Sequence, residues 1–516
     1  MLEQVGGFLL PAVLLGLVAS WMLEGLLQPR PVAVWRRPIA ANLTHVAVWL
    51  LVFAAELVLF RRPFFAMVNV LAIELVLVLV SRAKYHSLQE PFVYPDFEYF
   101  TDAFKHPRLY LPFFGWFNAI AAIGGYGVAL WLGLTYENAI VLQDHPYFLP
   151  TVGLLGLACL ALAMGSGRRL AVTFDAEADL RRLGFAAALW AYGRAERQCA
   201  QGMRSRAPFQ GAAPERLPEV LPDLVSIQSE SFFDVRRSYP IVKQDVLAGF
   251  DRLRAESLVQ GELKVAARGA NTVRTEFSFL SGMSADELGV HRYNPYRRLA
   301  GQGLPTLASY LKTLGYRTIC VHPFHGSFYR RDKVLPALGF DEFVDLKAFD
   351  DAEKVGAYVG DQALGHYVSA LLSRDDPRPL FIHVITMENH GPLHWEAVTE
   401  DDARDVLNGP MPPGCEDLVA YARHLRNADA MFSSLRQTLL SGGRPAGLCI
   451  FGDHIPIMPK VYRALGAVSG LTEGMIWAVG GKRSTSQSAH EISELATDFL
   501  SCVGLLASGD GRCAMP

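Results

Sequence analysis

The chain has 516 residues, of which 51% are apolar and 19% charged, against roughly 25% charged in an ordinary soluble domain. A net charge of -3 excludes a strongly basic nucleic-acid binder, and seven cysteines without a CxxC pair argue against a zinc ribbon or a disulfide-dense scaffold. Only 21 of the charged residues fall in the first 169 positions, so the mean hydropathy of +0.19 describes two different halves: a membrane N-terminal third and a water-soluble remainder long enough for a large core.

Five apolar runs come first: Gly7–Leu27, Asn42–Phe60, Phe64–Ser81, Pro112–Leu134 and Phe148–Gly167. Each is about 18–23 residues long, enough to cross about 30 Å of hydrocarbon as a helix. The sequence therefore predicts five transmembrane helices in residues 1–169. Glu3 and the lack of an A-x-A-like site argue against a cleaved signal peptide. Arg61-Arg62-Pro63 predicts a tight hairpin between the second and third runs, and Trp21, Trp35, Tyr85, Tyr94, Tyr110 and Trp116 mark interfacial run ends. Glu24, Glu56 and Glu74 are expected to face a bundle interior or the headgroup level, with contact to a lipid-linked donor as the alternative. The loops holding Arg30, Arg36, Arg37, Arg82, Lys84, Lys105 and Arg108 share a side with the soluble part, and only Arg61 and Arg62 face the other. By charge alone the soluble part would be cytoplasmic.

Residues 170–220 read as a juxtamembrane amphipathic helix around Leu180–Tyr192, followed by a Pro- and Gly-rich linker. From 221 to 516 short apolar runs alternate with helical stretches. The predicted strands are Asp223–Ser229, Tyr316–Val321, Leu380–Thr386, Ala446–Phe451 and Met475–Val479. The predicted helices are Leu304–Leu314, Asp361–Ser373, Asp417–Leu440 and His490–Val503. This pattern predicts an α/β domain with a mostly parallel sheet covered by helices on both faces, and with ligands at the strand C-termini.

Unusual polar residues fall at those ends. The first strand runs into Glu230, and the strand at 446–451 runs into Gly452-Asp453-His454. Glu, Asp and His together suit a divalent cation such as Mn²⁺ or Zn²⁺. Each alone is more simply a cap or a turn residue. Gly269 and Asn271 permit a tight turn before a helix marked by Phe277 and Leu280, which puts Thr272 at a helix N-terminus, where an anion or alkoxide is favoured. Thr272 is there either an N-cap or a nucleophile, and as a nucleophile it needs a cation to ionise.

Five segments in order carry a resemblance: Ser229-Glu-Ser-Phe, Gly-Ala-Asn-Thr272 with Thr-Glu-Phe277, Phe328-Tyr-Arg-Arg-Asp332, Met387-Glu-Asn-His390 and Phe451-Gly-Asp-His454. With the N-terminal helices they resemble the lipoteichoic acid synthase and periplasmic phosphoglycerol transferase family of the alkaline phosphatase/sulfatase superfamily. The resemblance implies that Glu230, Thr272, Asp453 and His454 are metal ligands, for Mn²⁺ first and Zn²⁺ or Mg²⁺ as alternatives, and that Thr272 is the nucleophile. It implies that His322, Tyr329, Arg331 and His390 hold the phosphoglycerol group; Tyr329 stands where Gram-positive members carry a tryptophan. It also implies a multi-pass protein of the bacterial inner membrane with an extracytoplasmic catalytic domain, a phosphatidylglycerol donor and a glycan acceptor, against the charge count of the loops. Competing readings are a phosphoethanolamine transferase, whose soluble domain is usually richer in disulfides, and an inactive membrane-anchored glycan-binding or assembly protein. Cys320, Cys415, Cys449, Cys502 and Cys513 show no obvious pairing, and no Cys- or Ser-x-Pro-x-Arg sequence supplies a formylglycine nucleophile.

Overall fold

The computed structural model describes residues 2–101, 116–197, 203, 206–210, 214, 216–374, 376–481 and 490–506. They divide into two compact units, Met1–Cys199 and Ala200–Pro516. The first unit is helical: Leu2–Glu24, Ile39–Phe60, Pro63–Leu88, Trp116–Tyr136 and Phe148–Gly167. Among the described residues three of these, Ile39–Phe60, Pro63–Leu88 and Phe148–Gly167, are long and apolar enough to cross a membrane. The apolar part of the first helix, Leu9–Glu24, is shorter. The start of the fourth run, 112–115, lies outside the described residues, as do Lys105, Arg108, Tyr110 and Cys513.

The hairpin expected at Arg61-Arg62-Pro63 is present. Arg61 turns the chain in the left-handed region (φ 57) and Pro63 opens the next helix, where its missing N–H costs nothing. Glu137 accepts the free N–H groups of Phe64 (3.0 Å) and Phe65 (2.7 Å) at that helix start. The acidic residues of the runs have partners inside the unit. Ser20 Oγ donates to Glu74 Oε1 (2.9 Å), and Asn69 Nδ2 donates to Glu56 Oε2 (2.7 Å). Glu24 is fully buried, pairs with Arg37, and accepts from the N–H groups of Phe185 (2.6 Å) and Ala186 (3.2 Å).

That last contact corrects the single juxtamembrane helix read from the sequence. The chain forms two helices, Ala176–Leu183 and Phe185–Glu196, broken at Gly184. Gly184 has φ +79, and a Cβ there would lie 2.2 Å from Arg37 Nη1 and 2.9 Å from Glu24 Oε2. The break exposes a helix N-terminus to the Glu24 carboxylate, which stabilises it.

The second unit is built on an eight-stranded sheet. Its strands are β1 (Asp223–Ser229), β2 (Val259–Lys264), β3 (Arg317–Val321), β4 (Glu342–Val344), β7 (Leu380–Ile385), β8 (Ala446–Gly452), β9 (Thr472–Ala478) and β10 (His490–Glu491); β5 (Lys354–Val355) and β6 (Tyr358–Val359) form a separate hairpin. The order is β10-β2-β9-β8-β1-β7-β3-β4, and only β9 runs against the rest. Alternation along β1 and β8 sends Val225, Ile227, Leu448 and Ile450 to one core, with Phe250, Met431 and Phe432, and Leu224, Cys449 and Phe451 to the other, with Phe277, Phe279 and Phe499. Both faces are thus covered, as the sequence predicts.

Three boundaries shift by two residues or more, the first being the helix expected from Leu304, which starts at Leu307. The strand expected at Met475 starts at Thr472 and is antiparallel, and the helix expected from His490 starts at Ile492 because His490-Glu491 pairs with β2. Cys159, Cys320, Cys415 and Cys449 are free and buried. Cys502 is disulfide-bonded, a pairing that the sequence did not make obvious.

Candidate active site

Parallel strands deliver their C-terminal ends to one edge of the sheet. Glu230 follows β1, His322 follows β3, His390 lies in the loop after β7, and Asp453-His454 follow β8. Adjacent ends are tied together: the Glu230 N–H donates to Thr386 Oγ1 (2.9 Å) just past β7. Helix Thr272–Ser281 is buried along its whole length and begins at this edge, with Asn271 before it in the left-handed region (φ 63). Two bonds stitch this segment to the end of β8. Thr275 Oγ1 donates to Asp453 O (2.8 Å), and the Ile455 N–H donates to Arg268 O (3.3 Å). Thr272 itself is the first helical residue and 7% exposed.

Glu230, Asp453 and His454 each bring one ligand atom within 4.8 Å of the others, all buried. His454 Nε2 lies 3.4 Å from Glu230 Oε1 and 3.7 Å from Asp453 Oδ2. His454 Nδ1 donates to Ile455 O (3.1 Å), so in the neutral ring the Nε2 lone pair faces the carboxylates. Asp453 Oδ2 is buried with no hydrogen-bond partner. Burial, then the Glu230 charge, push the Asp453 carboxyl up to about 7. Burial alone would lower His454, but the Asp453 and Glu230 carboxylates outweigh it and raise it. Two carboxylates and an imidazole lone pair converging on an orphaned oxygen fit a divalent cation of hard-to-borderline preference.

The remaining expected residues form a second, linked group. Arg331 is 1% exposed; its Nη2 donates to Glu276 Oε2 (2.7 Å), its Nη1 to His322 Nε2 (3.1 Å), and its guanidinium lies 5.3 Å from the Tyr329 ring. Tyr296 also donates to Glu276. His322 Nδ1 donates to Ile385 O (3.2 Å), so both His322 nitrogens are engaged. Arg330, by contrast, is exposed. His390 Nδ1 donates to Gly391 O (2.8 Å), which leaves the Nε2 lone pair free. Non-glycine residues in the left-handed region cluster here: Ser231 (φ 54), Asn271 (φ 63), Tyr329 (φ 53) and Arg330 (φ 55). Each costs about 1–2 kcal/mol, which the surrounding contacts must hold in place.

Two outcomes follow from this geometry. Glu276→Gln leaves the Arg331 charge buried without its counter-ion, a change expected to cost about 3–5 kcal/mol. It should be read as a lower thermal midpoint of the detergent-purified protein. The second concerns pH. Burial lowers His390 and His383 to about 4, and burial with Arg331 holds His322 well below its usual value. A lowered folded-state pKa means that the folded chain binds fewer protons than the unfolded chain. The stability these three histidines contribute is then complete above about 6.5 and is lost as the pH drops from there to about 4. His383 bonds Ser226 Oγ (2.8 Å) and stacks on Phe279 (ring centroids 5.8 Å apart), with its Nε2 unpartnered. His383→Leu should therefore flatten part of that acid limb in a melting series in chelator.

A sequence model described as Sulfatase matches residues 222–505. The chain belongs to the sulfatase family. It is 27% identical over 445 residues to the capsular polysaccharide biosynthesis protein RkpI of Rhizobium meliloti, covering 81% of this chain and 78% of that protein. Lipoteichoic acid synthase 1 of Bacillus subtilis is 24% identical over 174 residues, 33% of this chain and 26% of that protein. Among solved structures, the Streptococcus pyogenes phosphoglycerol transferase GacH in complex with sn-glycerol-1-phosphate superposes with a TM-score of 0.47 at 19% identity, covering 62% of this chain and 82% of that one. The resemblance drawn from the motifs is thus met in the comparisons.

The family edge contains residues that sequence reading passed over. Glu276 holds Arg331 and is itself held by Tyr296; Glu276 lies inside one of the motifs, but no spacing links it to a residue 55 positions away. Ser231 touches Glu230, Asp453 and His454. Tyr358 lies 3.4 Å from His390 Nδ1 from the β5–β6 hairpin, which carried no sequence signal.

Proposed function

We propose that the protein is a membrane-anchored phosphoglycerol transferase that moves glycerol phosphate from phosphatidylglycerol to a periplasmic or surface glycan through a covalent threonine intermediate. The observation that carries this is the meeting of Glu230, Asp453 and His454 around an unpartnered carboxylate oxygen, beside a helix that begins with Thr272. Glu230, Asp453, His454 and Thr272 would hold the cation, Mn²⁺ first, with Zn²⁺ or Mg²⁺ as alternatives. When bound, it supplies positive charge that favours an ionised threonine and a negative phosphoryl group.

In this reading Thr272 Oγ forms a bond to phosphorus and the bond from phosphorus to the diacylglycerol oxygen breaks. The threonine proton passes to that leaving oxygen. The acceptor hydroxyl then attacks the glycerophospho-threonine, and the Thr272–phosphorus bond breaks. His390, neutral with a free Nε2, takes the acceptor proton and returns it to Thr272. Arg331, fixed by Glu276 and His322, offers its remaining N–H groups to a non-bridging oxygen, and Tyr329 borders the glycerol. His322 serves here by orienting Arg331, since both of its nitrogens are engaged.

The glycan acceptor is supported by the likeness to a capsular polysaccharide biosynthesis protein. For the membrane we keep five spans, with the catalytic domain outside the inner membrane. The Cys502 disulfide supports that side, because such bonds persist in oxidising compartments.

The test is incubation of the full chain with Mn²⁺ and vesicles of labelled phosphatidylglycerol or labelled phosphatidylethanolamine. Diacylglycerol from the first alone is the expected result. Release from the second alone would make the protein a phosphoethanolamine transferase, and release from neither would leave the inactive, assembly-type reading. For orientation, an impermeant probe applied to intact spheroplasts should label a cysteine introduced at exposed Trp395; protection of that site until lysis would put the domain in the cytoplasm.

A further inference from the structure

We propose that Ser231 is the positioning residue that sets three of the proposed ligands of the cation site, Glu230, Asp453 and His454. The inference rests on the cation reading above. Ser231 directly follows Glu230 and is 3% exposed. Its backbone N–H donates to Asp453 Oδ1 (2.8 Å), which turns the other oxygen, Oδ2, inward without a partner. Its hydroxyl donates to Glu230 Oε1 (3.0 Å), fixing the rotation of that carboxylate. The same oxygen lies 3.3 Å from His454 Nδ1, whose proton it shares with Ile455 O. This keeps the proton on Nδ1 and leaves Nε2 as the lone pair toward the two carboxylates. One short side chain and its own amide therefore reach two carboxylates and one imidazole contributed by two different strand ends.

The backbone is built to hold it there. Ser231 sits in the left-handed region (φ 54), a conformation a serine does not choose without constraint. Tyr421, fully buried, donates its hydroxyl proton to Ser231 O (2.7 Å) and accepts the Phe233 N–H (3.2 Å), so it grips the turn from both sides. From the opposite strand, Gly452 leaves room for the Phe232 carbonyl: a Cβ at Gly452 would lie 1.8 Å from Phe232 O. The glycine before Asp453-His454 is thus needed for the turn that carries Ser231. A hydroxyl of this kind raises metal affinity by pre-orienting ligands, and loss of such an outer partner typically weakens binding 10–100-fold.

The test compares the full chain in detergent with Ser231→Gly and Ser231→Ala, reading the Mn²⁺ dissociation constant from the paramagnetic resonance signal of free Mn²⁺. Glycine adopts φ > 0 without strain and keeps the N–H to Asp453, so Ser231→Gly removes the hydroxyl with its carbon while the strain it relieves offsets the hydrogen bonds it loses. The expected result is Mn²⁺ binding weakened about 10–100-fold in Ser231→Gly, with an unchanged thermal midpoint for the metal-free protein. Ser231→Ala should weaken binding equally and also lower that midpoint, because alanine keeps the backbone strain without the hydroxyl bonds. Binding by Ser231→Gly within about twofold of the parent overturns the role of Ser231 while leaving the cation site standing. A parent protein that binds neither Mn²⁺ nor Zn²⁺ overturns the cation reading, and the role of Ser231 with it.

Discussion

Thr272→Ala should abolish diacylglycerol release from phosphatidylglycerol, by about 10⁴-fold or more, while the protein still folds and still binds Mn²⁺ through Glu230, Asp453 and His454. The size of the loss follows from covalent chemistry: without the hydroxyl there is no first step, and what survives is only the contribution of a pre-arranged charged pocket to attack by water. The fold should tolerate the change. Helix Thr272–Ser281 is held by Val273, Phe277, Phe279 and Leu280 in the core and by the Thr275 bond to Asp453 O, none of which the substitution touches. Alanine also favours a helical position. Parent-like turnover by this variant would remove Thr272 from the chemistry and return it to the role of a helix-opening residue.

The second large effect is expected at Asp453. Asp453→Asn should take the metal content of the purified protein from about one ion per chain to near none, because a neutral amide replaces a buried anionic ligand. The same change should stabilise the metal-free protein. In that state Asp453 and Glu230 place two carboxylates together in a buried site, and burial with the Glu230 charge lifts the Asp453 carboxyl to about 7. A carboxyl raised in this way binds more protons folded than unfolded, so it destabilises the metal-free chain progressively as the pH rises from about 4 to about 7. The asparagine variant lacks that limb. Metal analysis and a melting series in chelator read both halves. Undiminished metal content would exclude Asp453 as a ligand.

These two effects concern residues visible in the sequence, and the reason is local. β8 is a short, uninterrupted apolar run and β1 a short buried one around Leu224, Val225 and Ile227, and each runs directly into an acidic residue, Asp453 and Glu230. Thr272 is marked by the Gly269–Asn271 turn and the apolar spacing after it. The mostly parallel sheet follows from the same alternation of runs. What escaped has in common that it depends on the third dimension. The reversal of β9 is set by its pairing with β2, a strand whose alternating and partly exposed pattern gave no signal. Gly184 breaks a helix because Glu24 and Arg37, more than 140 positions earlier, occupy the space of a side chain. Arg331 reads in sequence as a substrate contact, and only the structure shows that most of its donors are committed to Glu276 and His322. The disulfide at Cys502 leaves no trace in cysteine spacing.

The central claim is that an alcohol side chain at the start of a buried helix takes a phosphoryl group from a lipid. It is tested most directly by incubating the full chain with Mn²⁺ and phosphatidylglycerol vesicles without acceptor, quenching in acid, and locating any added mass on the digested peptides. The account predicts a glycerophosphoryl group on the peptide containing Thr272 and on that residue within it. Diacylglycerol release with the group found on a different residue would contradict it.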